Sequence, residues 1–303
     1  MSEDSRVDEV TDIETTGHEW DGIEELNRPL PRWWLWTFYA TILFSVIYCI
    51  LYPAWPTAQG EKAGVLNYSS REQLEQAVAA VEAGRAETIA KIRDLPFAEI
   101  RRDPVLMQVA LKGGESAYKV NCVQCHGAGA AGGPGYPNLN DDAWLWGGTP
   151  EAIHTTLQYG IRHDEYVETR YSEMPAFGRD NLLQRDQIKD VVAYVQALSG
   201  RGEMTEAAKR GTQIYAEQCA VCHGDSGEGN RDLGAPTLND AIWLYGGDDE
   251  TLYETVANAR YGVMPGWANR LDAATLKQLT LYVHSLGGGE RPETQQAQLQ
   301  GTE

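Results

Sequence analysis

Two copies of one pentapeptide constrain this chain more than any other feature: Cys122-Val123-Gln124-Cys125-His126 and Cys219-Ala220-Val221-Cys222-His223. Cys-x-x-Cys-His is the attachment signature of a c-type haem, in which two thiols add across the vinyl groups and the histidine that follows is placed to ligate iron. One copy alone could be a redox motif or half of a zinc site. Two copies in similar surroundings, with no further Cys or His at short spacing to complete a zinc tetrad, leave covalent haem as the reading. The fifth cysteine, Cys49, stands alone in an apolar stretch, where a small buried hydrophobe is its ordinary role.

With 25 Lys plus Arg against 44 Asp plus Glu, a net charge of −19, the chain has no general basic surface for phosphates, and nucleic acid is excluded as a partner. Hydrophobic residues at 42% against 23% charged exclude bulk disorder. A length of 303 residues suits two domains of about 100 residues and an appendage.

The appendage comes first. Residues 1–32 hold ten acidic residues against three Arg and read as a polar segment that builds no core. Residues 33–52, WWLWTFYATILFSVIYCILY, are uncharged and have the length of a bilayer-spanning helix, which Pro53 closes. Trp33, Trp34, Trp36 and Tyr39 at one end, and Tyr48, Tyr52 and Trp55 at the other, are placed as interfacial belts. A cleaved signal peptide would start nearer the terminus and end in small residues, so the run is expected to be an uncleaved anchor. Arg28 and Arg32 fit an inside amino end, but Lys62 and Arg71 dilute the signal. The orientation therefore rests on covalent haem attachment, which puts the carboxyl-terminal domains on the outer, oxidising side.

Residues 53–104 read as linker and spacer helix, with Ser69 and Glu72 resembling a capping box that opens a helix to about Arg93 and with Leu74, Val78, Val81 and Ile89 along one face. The remainder is an internal repeat. Pro137-Asn138-Leu139-Asn140-Asp141 matches Pro236-Thr237-Leu238-Asn239-Asp240, and Trp144-Leu145-Trp146-Gly147-Gly148 matches Trp243-Leu244-Tyr245-Gly246-Gly247. Each unit continues through a Tyr-Gly and a Met-Pro to a closing helix. Helices are expected at 105–121 and 205–218 before the motifs and at 186–198 and 273–286 after them, with loops between and poor strand signals throughout. The expectation is an all-α fold: one N-terminal transmembrane helix, a first class I cytochrome c domain at 105–200, a second at 201–289, and a polar tail at 290–303.

His126 and His223 are the proximal iron ligands by position. Met174-Pro175 and Met264-Pro265 occupy matching places late in each repeat and supply the second axial ligands; a thioether favours ferrous iron and suits an electron carrier. The simple expectation is that Met174 closes the first site and Met264 the second, so that each repeat folds around its own haem. Crossed ligation between contacting domains remains open on spacing alone. His18, His154, His163 and His284 have no repeat partners and read as surface or satisfied side chains. Paired Tyr194 and Tyr282, and paired Trp144 and Trp243, read as packing on each haem or supporting its propionates.

Those residues, with the run Gly17-His18-Glu19-Trp20-Asp21-Gly22-Ile23-Glu24-Glu25-Leu26-Asn27-Arg28-Pro29-Leu30-Pro31-Arg32-Trp33-Trp34, resemble the di-haem subunit CcoP, also called FixP, of cbb3-type cytochrome c oxidases, over residues 17 to about 287. The resemblance implies two covalently bound haem c groups, held by Cys122, Cys125, Cys219 and Cys222 and ligated by His126, Met174, His223 and Met264. It implies a place in the bacterial inner membrane. It implies a relay from a soluble or membrane cytochrome c, through the mono-haem cytochrome c subunit, to a haem–copper subunit that reduces oxygen and pumps protons. The chain's own six His cannot build an oxygen-reducing centre when two already serve haem. The competing readings are a di-haem cytochrome of another membrane oxidoreductase, a self-contained di-haem peroxidase, and a haem-based sensor.

Charge orders the two repeats as docking candidates. Residues 201–303 carry fifteen acidic and eight basic groups, net −7, against eleven and seven, net −4, in 111–200. Asp248, Asp249, Glu250 and Glu254 form the acidic patch expected to meet a basic donor.

Overall fold

The structure is a computed structural model that describes residues 6–52, 55–57, 60–62 and 64–290, with side chains left aside at 53–63. The Trp55 ring, Pro53 and tail residues 291–303 lie outside the described residues. The chain divides into two compact units, Met1–Gly84 and Arg85–Glu303.

In the first unit the acidic segment is not featureless, as its composition suggested. Strands β1 (Val7–Asp8), β2 (Ile13–Trp20) and β3 (Ile23–Leu26) form an antiparallel sheet in that order. Asp21 and Gly22, both with positive φ (52° and 84°), make the two-residue turn between β2 and β3, the geometry that matches strand twist. The acidic side chains are offset locally, because Arg6 pairs with Glu24 and lies 3.7 Å from Glu19. The Asp-Gly pair was the available signal, but acidic residues within the strands masked their alternation.

Helix α1 (Arg32–Leu51) has a mean hydropathy of 1.8 and buries none of its residues. Its hydroxyls are satisfied inside the helix: Thr37 donates to the Trp33 carbonyl (2.9 Å), Thr41 to Phe38 (2.7 Å) and Ser45 to Thr41 (2.8 Å). Such closure is what a hydrocarbon environment requires. A hairpin, β4 (Trp55–Thr57) with β5 (Gly60–Lys62), occupies the expected linker. Helix α2 (Ser70–Asp94) follows, opened by the Ser69 hydroxyl accepting from the Glu72 N–H (3.3 Å).

The second unit is helical. Ile92 joins a core with Phe97 and Ile100 of α3 (Phe97–Arg102), Leu106 and Ala110 of α4 (Pro104–Asn121), and Ala274 and Leu281 near the chain's end. Then come α5 (Val123–His126), α6 (Pro150–Tyr159), α7 (Arg185–Leu198), α8 (Glu206–Gln218), α9 (Ala220–His223), α10 (Asp249–Asn258) and α11 (Ala273–His284). Helices α6 and α10 fall where loops were expected. Their starts are written plainly enough: Thr149 caps the Ala152 N–H with Pro150 next in line, and Asp248 caps the Thr251 N–H.

The pairing of helices does not follow the repeat. Helix α4, which leads into the first pentapeptide, packs on α11 of the second repeat, and α8, which leads into the second, packs on α7 of the first. Both crossings depend on glycine. A Cβ on Gly114 would overlap the Gln278 carbonyl and the Tyr282 Cβ, and one on Gly211 would overlap the Asp190 carbonyl. One lobe is therefore built from roughly 104–170 with 263–289, and the other from the stretch between them. Residues 199–205, where the first repeat is expected to give way to the second, form the turn of an αα-hairpin that sets α7 directly onto α8. Helices joined by so short a connection pack as neighbours.

Candidate haem sites

In each lobe a helix delivers the Cys-x-x-Cys-His turn against a buried tyrosine. Tyr118 donates its hydroxyl to the Gly127 carbonyl (2.9 Å), and Tyr215 donates to the Gly224 carbonyl (2.8 Å). These bonds hold the loop after each histidine. His126 Nδ1 lies 3.1 Å from the Pro137 carbonyl, and His223 Nδ1 lies 2.9 Å from the Pro236 carbonyl. A carbonyl can only accept, so Nδ1 carries the proton and Nε2 is left with its lone pair. Burial pushes both histidines below their ordinary pKa, which favours the neutral, ligating imidazole. Burial also lifts the Cys122 and Cys219 thiols to about 11, against the depressed values of reactive redox thiols.

Around the first pentapeptide, Tyr118, Cys122, Ile153, Leu157 and Leu279 form a buried cluster, and the methionine packed against it is Met264. Around the second, a cavity of about 240 Å³ is lined by Cys219, Cys222, His223, Val192 and Leu252, and the methionine that lines it is Met174. Each Met-Pro thus lies in the site of the other repeat, the arrangement that spacing alone left open, and not in its own. Backbone bonds fix both crossings. Ile161 and Met264 exchange N–H···O bonds of 2.9 and 3.0 Å, while Phe177 and Gly178 donate to the Val256 (3.1 Å) and Ala257 (3.0 Å) carbonyls. The paired tyrosines cross likewise: Tyr282 lies 5.5 Å from Tyr118 and Tyr194 lies 5.2 Å from Tyr215, ring centre to ring centre.

The residues present fit a haem. The walls are apolar, yet the Nε1 of Trp243, which lines the second cavity, is buried without an acceptor among the described residues. Donors of this kind at an apolar cavity call for acidic groups from a ligand, and a haem brings two carboxylates. Trp144 differs from its repeat partner, since its Nε1 donates to the Gly288 carbonyl (2.7 Å) and so anchors the segment that follows α11.

The remaining histidines do not line either site. His154 Nδ1 sits 3.2 Å from the Thr280 hydroxyl, and burial pushes its pKa down to about 4. His284 Nε2 donates to the Glu290 carbonyl (2.7 Å), and His18 is in β2. His163 lies against Tyr166 (5.8 Å between ring centres) with its Nδ1 buried and lacking a hydrogen-bond partner among the described residues, so it is not the surface or satisfied side chain expected.

Three arginines were missed. Arg260 lies over the Tyr245 ring (4.8 Å) and donates to the Thr251 carbonyl (2.6 Å); Arg170 lies over the Trp146 ring (5.4 Å) and donates to the Ala152 carbonyl (3.2 Å). The correspondence reveals the true register: Arg170-Tyr171-x-x-Met174 matches Arg260-Tyr261-x-x-Met264. The Tyr-Gly pairs do not correspond, because Gly160 ends α6 whereas Gly262 lies beyond Tyr261. The third, Arg162, donates to the Gly262 (2.7 Å) and Ser172 (2.8 Å) carbonyls, one on each segment that crosses between lobes.

Known proteins match this chain in sequence over nearly its whole length. Residues 12–59 match the N-terminal domain of cytochrome oxidase-cbb3, FixP, and residues 109–195 and 206–283 match cytochrome C oxidase, cbb3-type, subunit III. The chain is 51% identical over 276 residues to the cbb3-type cytochrome c oxidase subunit CcoP of Cereibacter sphaeroides, covering 91% of this chain and 95% of that one. It is 49% identical over 284 residues to the subunit FixP of Sinorhizobium medicae, with 94% and 98% covered. The matched amino-terminal domain, the two matched cytochrome units that carry the repeated Cys-x-x-Cys-His turns, and the identity to these subunits together place this chain in the family of the cbb3-type cytochrome c oxidase subunit III.

Proposed function

We propose that the chain is the membrane-anchored, di-haem electron-transfer subunit of a cbb3-type oxidase, with each site completed by the methionine of the other repeat. The cytochrome c domains of the family hold haem c, and α1 anchors the chain in a membrane. Bound haem c supplies a one-electron ferric/ferrous couple, and everything else is the work of protein groups. Cys122 with Cys125, and Cys219 with Cys222, attach two haems. His126 and His223, each held by a proline carbonyl, would offer Nε2 to the iron, and Met264 and Met174 would offer their thioethers. Ligation by imidazole and thioether would keep the potential high and suit a relay rather than substrate binding.

The observation that carries this reading is the meeting of one Cys-x-x-Cys-His turn and one methionine in each lobe. A peroxidase or gas sensor needs an open coordination position, so addition of carbon monoxide to the reduced chain tests it. Little spectral change is expected; strong binding at either haem refutes the relay.

The partners are a haem–copper catalytic subunit, a mono-haem cytochrome c subunit and a cytochrome c donor, with the haem lobes periplasmic and the amino terminus cytoplasmic in a bacterial inner membrane. Reporter fusions at residue 20 and after residue 290 should be active on opposite faces. Purification with a haem–copper subunit, and not with another dehydrogenase or reductase, is the expected result of affinity capture.

A further inference from the structure

A chain of net charge −19 has carboxylates to spare, yet among the described residues Arg162, Arg170 and Arg260 form no ion pair within 4.0 Å. All three are partly buried, and burial lowers the pKa of Arg162 and Arg170. Half-buried cations without a counter-charge are costly. Their neutral partners are carbonyls, the Thr255 hydroxyl and aromatic faces, which hold the guanidinium planes without neutralising them.

Their placement is ordered. Arg162 and Arg260 both line the cavity that holds His223 and Met174. Arg170 repeats the setting of Arg260 at the other lobe, with the same stacking on the second aromatic of the matched run, Trp146 or Tyr245, and the same bond to the start of the preceding helix. Arg162 has no repeat counterpart. Its backbone sits at φ 52°, a left-handed conformation that a long side chain adopts only under strain.

We infer that Arg162 and Arg260 hold the carboxylates of the haem at Cys219 and Cys222, so that a first-repeat residue positions the cofactor attached to the second repeat, while Arg170 serves the haem at Cys122 and Cys125 alone. This rests on the di-haem reading above. A guanidinium fork suits a carboxylate in geometry as well as charge. A cation beside the haem edge disfavours the ferric state, so its removal lowers the midpoint potential of that haem.

The test uses the full-length haem-loaded chain with Arg162→Gln and Arg260→Gln. Haem staining on a denaturing gel first establishes attachment at both motifs, which the di-haem reading requires whatever the arginines do. Redox titration should then show one midpoint lowered and the other unchanged in each variant, and Arg170→Gln should lower the opposite one. Arg162→Lys keeps the charge without the fork. It should retain the wild-type midpoint while shifting the haem-propionate bending band in the resonance Raman spectrum, and it serves if the Gln variant does not fold. Two unchanged midpoints in both Gln variants, or an unmoved band in Arg162→Lys, would overturn the inference and leave these arginines as clips between segments.

Discussion

Met264 and Ile161, 103 positions apart, exchange both of their backbone hydrogen bonds, at 3.0 and 2.9 Å. Through this bridge the last part of the second repeat is stitched to the end of α6 in the first. The bridge needs a bare backbone beside it: Gly160 sits at φ 73°, and a Cβ there would overlap the Met264 carbonyl and the Gly266 N–H.

Gly160→Ala should therefore loosen one methionine only. The strained φ and the overlap together predict a loss of about 1–3 kcal/mol. Thermal unfolding of the haem-loaded chain measures it, and the methionine-to-ferric-iron absorption band should weaken by no more than half. Stability within 0.3 kcal/mol of wild type, roughly the error of such comparisons, would deny the bridge.

The helix crossings can be separated in the same way. Gly114→Val should destabilise the lobe holding the first pentapeptide through Gln278 and Tyr282, and Gly211→Val should destabilise the other lobe through Asp190 and Tyr194. Overpacking of this kind costs about 1–3 kcal/mol or more. Amide hydrogen exchange reads the result element by element: Gly114→Val should release α11 and spare α7. Release of α7 by Gly114→Val would mean that each repeat folds on itself.

His154 predicts an acid-side slope. Burial, then Lys277, holds its folded pKa at about 4, below the ordinary 6.5. Between those values the unfolded chain binds a proton that the folded chain does not, so stability is complete above pH 6.5 and is lost as pH falls towards 4. The loss is on the order of 2 kcal/mol after allowance for partial exposure. His154→Gln should remove that part of the slope in chemical denaturation across pH, while an unchanged slope would assign it elsewhere.

Donor docking should favour the second-pentapeptide lobe. Residues 171–262 carry fifteen acidic and eight basic groups, so regrouping by lobe leaves net −7 there. Asp248 is the cap of α10, accepting from the Thr251 N–H at 2.9 Å, and has to stay. The informative variant is Asp249→Asn with Glu250→Gln. Stopped-flow reduction by a basic cytochrome c should slow and become less salt-dependent, within the 10- to 1,000-fold range of electrostatic steering. A wild-type rate independent of salt would remove the docking account.

The Cys-x-x-Cys-His turns, the two Met-Pro dipeptides, the long apolar helix and the helices at α2, α4, α7, α8 and α11 were legible because their signals are local: fixed spacing, helical periodicity, uncharged length. The partnership of the methionines was not. Two copies of one repeat offer nearly the same contacts whether α4 packs on α7 or on α11, and local pattern cannot rank equivalent surfaces. The deciding feature is the short turn at Ser199–Thr205, which leaves α7 and α8 little choice but each other. The arginines were hidden by a false register, in which Tyr-Gly pairs were aligned ahead of the Arg-Tyr pairs that truly correspond. The sheet in residues 6–26 was hidden by its acidic strands, whose charge Arg6 offsets only after folding.

The central claim is the exchange of methionines, and a single-haem background tests it most directly. With Cys122→Ala and Cys125→Ala only the haem at Cys219 and Cys222 remains attached, and its midpoint potential can be titrated without interference. Met174→His in that background should lower the midpoint, because imidazole stabilises ferric iron relative to a thioether, and Met264→His should leave it in place. A midpoint lowered by Met264→His and indifferent to Met174→His would contradict the account.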